Sequence, residues 1–94
     1  MEQPVPNSTI TSVPATTTSV LLSSPGWMRP WVGIYNNSLT ADLYIALFPT
    51  SSPTAFTCKL APQGYYEVPL KYTGPVSGVW SAADGSALVT ELTY

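Results

Sequence analysis

From Trp31 onward the chain is cut into short β-branched and aromatic runs by turn signals, and this punctuation leaves little choice of fold. Trp31 to Tyr35 is followed by Asn36-Asn37-Ser38, Leu43 to Phe48 by a loop from Pro49 to Pro53, and Thr57 to Leu60 by Ala61-Pro62-Gln63-Gly64. Tyr65 to Val68, Val76 to Trp80 and Ala87 to Leu92 continue the series, separated by Tyr72-Thr73-Gly74-Pro75 and Asp84-Gly85. Strands this short at this spacing close into a sandwich or small barrel rather than alternating with helices. With Val20 to Leu22 included, the pattern predicts an all-β fold, a small antiparallel β-sandwich or jelly-roll-like barrel of about seven strands.

Before that series, Met1 to Ser24 is rich in Thr, Ser, Pro and Val, and Pro4, Pro6 and Pro14 exclude a helix. The sequence therefore divides into an extended N-terminal arm, residues 1–24, and a β-sandwich domain, residues 25–94. The β-branched runs Thr9 to Val13 and Thr16 to Leu22 suit a strand added to a sheet edge. Ile10, Val13 and Val20 are accordingly candidate subunit contacts, with the arm ordered against a neighbouring chain. Trp27 and Trp31, flanked by Pro25, Gly26 and Pro30, are expected to anchor the junction between arm and domain.

A domain of about seventy residues has a core worth only a few kcal/mol unless disulfides, metals or neighbouring subunits help. Cys58 is the single cysteine, so no disulfide forms within the chain; beside Leu60 in a strand it reads as a buried, inert thiol. Oligomerisation is the support that remains. Charged residues make up only 9% of the chain, against about 25% in ordinary globular proteins, which suits a molecule whose surface is covered by partners.

The same composition narrows the chemistry. Arg29, Lys59 and Lys71 are the only basic residues, too few to build a phosphate-binding surface, so nucleic acid is not an expected partner. No apolar run is long enough for a membrane-spanning helix, and Met1-Glu2-Gln3-Pro4 lacks the features of an export signal. With no histidine the chain has neither the usual catalytic base nor an imidazole ligand. The carboxylates Glu2, Asp42, Glu67, Asp84 and Glu91 are scattered, and a glycosidase-like pair of Glu67 and Glu91 would have to meet across a cleft. No enzymatic role, cofactor or metal is expected. Asn7-Ser8-Thr9 and Asn36-Asn37-Ser38 fit the glycosylation pattern but read as polar arm and turn residues. Asp84-Gly85 reads as a hairpin turn, and Gly74 is expected to need a positive φ.

Three Trp, six Tyr and two Phe are more than a core this small can hide, since each aromatic buries about 150–250 Å². Two uses compete for the remainder. Tyr65, Tyr66, Tyr72 or Trp80 can stack on sugar rings, with Glu67, Lys71 and Gln63 binding hydroxyls. Alternatively Tyr65 and Tyr72 join Trp27 and Trp31 in a subunit interface, where aromatics are enriched and charge is depleted. Low charge over the whole chain favours the interface.

The run from Val32 to Leu92 carries Tyr-Asn-Asn-Ser at the end of a strand, an aliphatic strand, a Thr-containing loop, Pro-Gln-Gly-Tyr-Tyr-Glu-Val-Pro, Tyr-Thr-Gly and a closing Thr-Glu-Leu. In order and spacing it resembles a small β-rich family met among tailed-bacteriophage structural genes. Trp27-Met28-Arg29-Pro30-Trp31 departs from that pattern, where a more polar approach is expected. The resemblance implies a virion component, a capsid decoration or cement protein before others, contacting the major capsid protein or a connector or fibre protein. A carbohydrate-binding adhesion module on a phage fibre or spike is the alternative.

Overall fold

The computed structural model describes residues 7–26 and 30–93. Within them the chain forms β1 (Asn7–Pro14), β2 (Val20–Ser23), β3 (Trp31–Asn37), β4 (Leu43–Ala46), β5 (Cys58–Leu60), β6 (Tyr65–Glu67), β7 (Val76–Trp80) and β8 (Ser86–Thr93). They make two four-stranded sheets, a front sheet in the order β1-β8-β3-β6 and a back sheet in the order β2-β7-β4-β5. Every pairing is antiparallel. The two sheets pack as a sandwich, and the strand orders are those of the eight-stranded, double Greek-key jelly roll.

Period-two alternation decides what lies between the sheets. Val32, Ile34, Ala87 and Val89 point inward from the front sheet; Leu22, Leu43, Ile45, Val76 and Trp80 meet them from the back. The polar side chain of Asn36 sits among them, fully buried, at the end of β3. The Asn36 amide faces the carbonyls of Ala41, Leu60 and Ala61 at 2.9, 3.2 and 3.1 Å, and its oxygen accepts from Trp80 Nε1 at 3.1 Å. Two N–H groups shared among three acceptors leave the amide saturated, so Asn36 ties β3 to the loops around β4 and β5 and to β7.

All five residues of β7 are buried. The front sheet covers its inner side, and the segment after β4 folds back over the outer face of the back sheet. The Ser77 hydroxyl donates to the Phe48 carbonyl and the Ser51 hydroxyl to the Tyr44 carbonyl, each at 2.8 Å. Phe56 packs on Tyr44 with ring centroids 5.0 Å apart.

The arm takes a different place from the one expected. Over its described part it supplies the first strand of each sheet: β1 pairs along the whole of β8, and β2 pairs with β7. Its β-branched run does add to a sheet edge, but the edge belongs to its own chain. Asp84-Gly85 is not the expected hairpin turn: β7 and β8 belong to different sheets, so the segment is a bend that carries the chain from the back sheet to the front one, with Gly85 at φ 92°. Gly74 does not have a positive φ; its constraint is steric, since a Cβ there would lie 2.7 Å from Tyr72 Cζ.

A bare aromatic face as candidate functional site

Among the described residues, no loop lies over the outer face of the front sheet as one does at the back. Register defines its members. Trp31 stands beside Leu92, Gly33 beside Thr90, and Tyr35 beside Leu88. On one flank β1 adds Ser8, Ile10 and Ser12 to these rows; on the other β6 adds Glu67 beside Gly33 and Tyr65 beside Tyr35. Ile10 is 70% exposed and Tyr65 51% exposed, while Trp31, Tyr35, Leu88 and Leu92 are half-buried by one another.

The missing side chain at Gly33 organises the centre. Trp31 and Tyr65 lean over it from either side, so that a Cβ at position 33 would come 2.5 Å from Trp31 Cη2 and collide with the Tyr65 hydroxyl. The two rings thus form one platform. At its rim Trp31 Nε1 points to the Glu67 carboxylate at 3.4 Å, a long, weak hydrogen bond. Desolvation, and then the neighbouring Glu67 charge, push the Tyr65 phenol above its ordinary range, so it remains a hydrogen-bond donor.

Three of the expected contact residues, Ile10, Trp31 and Tyr65, therefore share this face. Val13 and Val20 do not: both turn inward and pack on the core, because the register with Ala87 and Gly78 puts them on the buried side. Tyr72 also packs on the core, half-buried, its hydroxyl donating to the Pro75 carbonyl at 2.6 Å, so it braces the turn before β7. Trp31 lies within β3 rather than in a hinge, and Trp27 lies outside the described residues. Trp80 is buried with its indole N–H bound to Asn36 and cannot stack on a sugar. Tyr35, Leu88 and Leu92 were missed as face members; the period-two rows of β3 and β8 were the signal that could have found them.

The remaining candidates for chemistry do not converge. Glu67 points outward, whereas Glu91 turns inward and accepts from the buried Ser23 hydroxyl. Asp84 accepts from the hydroxyls of Ser38 and Thr40 in the turn region. Among the described residues no three His, Cys, Asp or Glu side chains come together as metal ligands. Burial pushes the Cys58 thiol up, away from the reactive thiolate. A second apolar feature, an open groove of about 460 Å³, lies at the back between Ala46–Phe48 and Thr50–Thr57, with Phe48 63% exposed at its rim. Its Phe56 ring is engaged with Tyr44, which also carries Lys59 Nζ 5.9 Å from its centroid.

No protein-family model, curated protein or solved structure matches the chain.

Proposed function

We propose that the protein is a non-catalytic structural component of a bacteriophage virion, binding neighbouring virion subunits through the outer face of its front sheet. The observation that carries this reading is that face: Ile10, Leu88, Leu92, Trp31, Tyr35 and Tyr65 in adjoining rows with Glu67 as their one charged member. Such a surface has the aromatic enrichment and charge depletion of an interface centre. The likeness of Val32 to Leu92 to phage structural proteins supplies the virion context, and decoration or cementing of the capsid is the leading form of it. Jelly rolls serve in viral capsid domains and in lectins alike, so the fold is an analogy that supports both readings equally.

Size bears on how the face works. Strands about 4.8 Å apart and residues about 3.4 Å apart make a four-stranded face of roughly 400 Å² in projection. A standard interface covers about 800 Å² per partner. One copy binding through this face alone is weak, and lasting attachment follows when many linked copies act together.

The second reading is carbohydrate binding, favoured by the paired rings of Trp31 and Tyr65 with the Glu67 carboxylate at their edge. Two assays separate them. Quantitative mass spectrometry of purified particles should find the protein at a fixed stoichiometry, and a glycan array probed with the purified chain should be blank. Absence from particles overturns the first reading; glycan binding that disappears in Tyr65→Ser establishes the second.

A further inference from the structure

The front sheet ends at β1, and this edge differs from the other three. β5 and β6 are three-residue strands carrying Lys59 and Glu67, and β2 is four residues long with a register shift between Leu21 and Ser23. Short length, charge and bulges are the devices that keep sheet edges from pairing. From Asn7 to Val13 β1 has none of them, being long, uncharged and in unbroken register with β8, and its one edge-blunting residue is Pro14 at the end. From Asn7 to Ser12 it is exposed throughout.

Which backbone groups it offers follows from alternation. Val32 O accepts from Val68 N, and Asn36 N donates to Gly64 O, so the even residues of β3 face β6 and its odd residues face β8. Through the register Gly33↔Thr90, the even residues of β8 face β3 and the odd ones face β1. Through Thr9↔Glu91 and Thr11↔Val89, the odd residues of β1 are bonded to β8. Ala15 N, which donates to Gly85 O at 3.0 Å, continues the same parity. Ser8, Ile10 and Ser12 are left with N–H and C=O directed away from the sheet. Pro14, the next in that row, has no N–H and stands where β8 requires none.

We infer that β1 pairs antiparallel with β1 of a second copy of this chain, about a two-fold axis through Ile10, joining two front sheets into one. What favours a second copy as the occupant is that β1 carries no charge to repel itself and that the exposed Ile10 stands at the middle of the outward row, where it meets its own equivalent. In this register Ser8 meets Ser12 of the other copy, Ile10 meets Ile10, and each such pair exchanges both N–H···O bonds. The exposed Ile10 side chains cover each other, and Thr9 lies opposite Thr11 on the reverse face. An uncharged strand meets its own copy without repulsion, although the chain as a whole carries a net charge of −2. This pairing stands on the edge alone and holds whether or not the protein belongs to a virion.

Two measurements on the full chain test it. Amide exchange should protect Ser8, Ile10 and Ser12 together with Thr9, Thr11 and Val13, and light scattering should report twice the chain mass. Ile10→Lys places like charges on the axis and should return the chain to folded monomers whose melting temperature no longer rises with protein concentration, while an equimolar mixture of Ile10→Lys and Ile10→Glu restores a heterodimer. Alternating protection, with the even amides exchanging as in a free peptide and the odd ones slow, overturns the inference without reliance on any variant. A monomeric wild-type chain that acquires protection at Ser8, Ile10 and Ser12 only on adding a different protein also overturns it, and assigns the edge to that protein's strand.

Discussion

The two sheets have similar inner faces and opposite outer ones. At the back, the segment after β4 returns over Tyr44, Ala46, Ser77 and Val79, and hydroxyls on Ser51 and Ser77 fasten it to backbone carbonyls. At the front, the equivalent surface carries Trp31, Tyr35, Leu88, Leu92 and Tyr65 with no covering segment of the chain among the described residues. A small sandwich that spends one long loop covering one apolar face has none left for the other. In the function proposed here, this uncovered face is the one a partner covers.

The comparison breaks first at the residue joining the sheets. Asn36→Asp keeps the shape but sets a carboxylate against three carbonyls, and leaving buried polar groups mismatched in this way costs about 3 kcal/mol or more. In a domain of this size each kcal/mol lowers the melting temperature by about 4–8 °C. A fall beyond about 12 °C, read by circular dichroism, is expected; an unchanged melt would mean that the sheets hold together without this network.

Gly74→Val probes the turn that carries the chain from β6 at the front to β7 at the back. Its Cβ would fall 2.7 Å from Tyr72 Cζ, and displacing that ring from the core costs about 1–3 kcal/mol by overpacking. Pairing it with Tyr72→Ala should remove the added penalty, whereas a penalty that persists in the double variant would point to the backbone.

Ser77→Ala tests the cover at the back. It leaves the Phe48 carbonyl without its buried donor, a loss of about 1–2 kcal/mol, and exchange of the amides in the Phe48–Phe56 loop should quicken. Tyr65→Ser at the front is the smallest in stability, within about 0.5 kcal/mol for a surface side chain, yet the largest in partner binding. Equal loss of stability from both substitutions would erase the distinction between the faces.

Much of the architecture was legible because alternation and turn residues agree locally. The limits of β7 were read as they stand, and β3, β6 and β8 to within two residues at either end. Sheet order was not legible, since it depends on contacts between strands distant in sequence, and so the arm's own sheet could not be distinguished from a neighbour's. Asn36 reads locally as the first residue of a turn; only the approach of Ala41, Leu60, Ala61 and Trp80 makes it a core residue. Tyr65 and Tyr72 look alike in sequence, and what separates them is register for the first and a hydroxyl bond to Pro75 for the second. The front platform was half visible: its aromatics were evident, but their meeting over Gly33 follows from the pairing of β3 with β6.

Hydroxyl-radical footprinting of the protein, isolated and in purified particles, tests the central claim most directly, because it reads the aromatics of both faces in one experiment. Oxidation of Trp31, Tyr35 and Tyr65 should fall sharply on assembly while that of Phe48 and Phe56 stays the same. Unchanged oxidation at the front with protection of Phe48 and Phe56 would contradict the account and move the binding surface to the groove at the back.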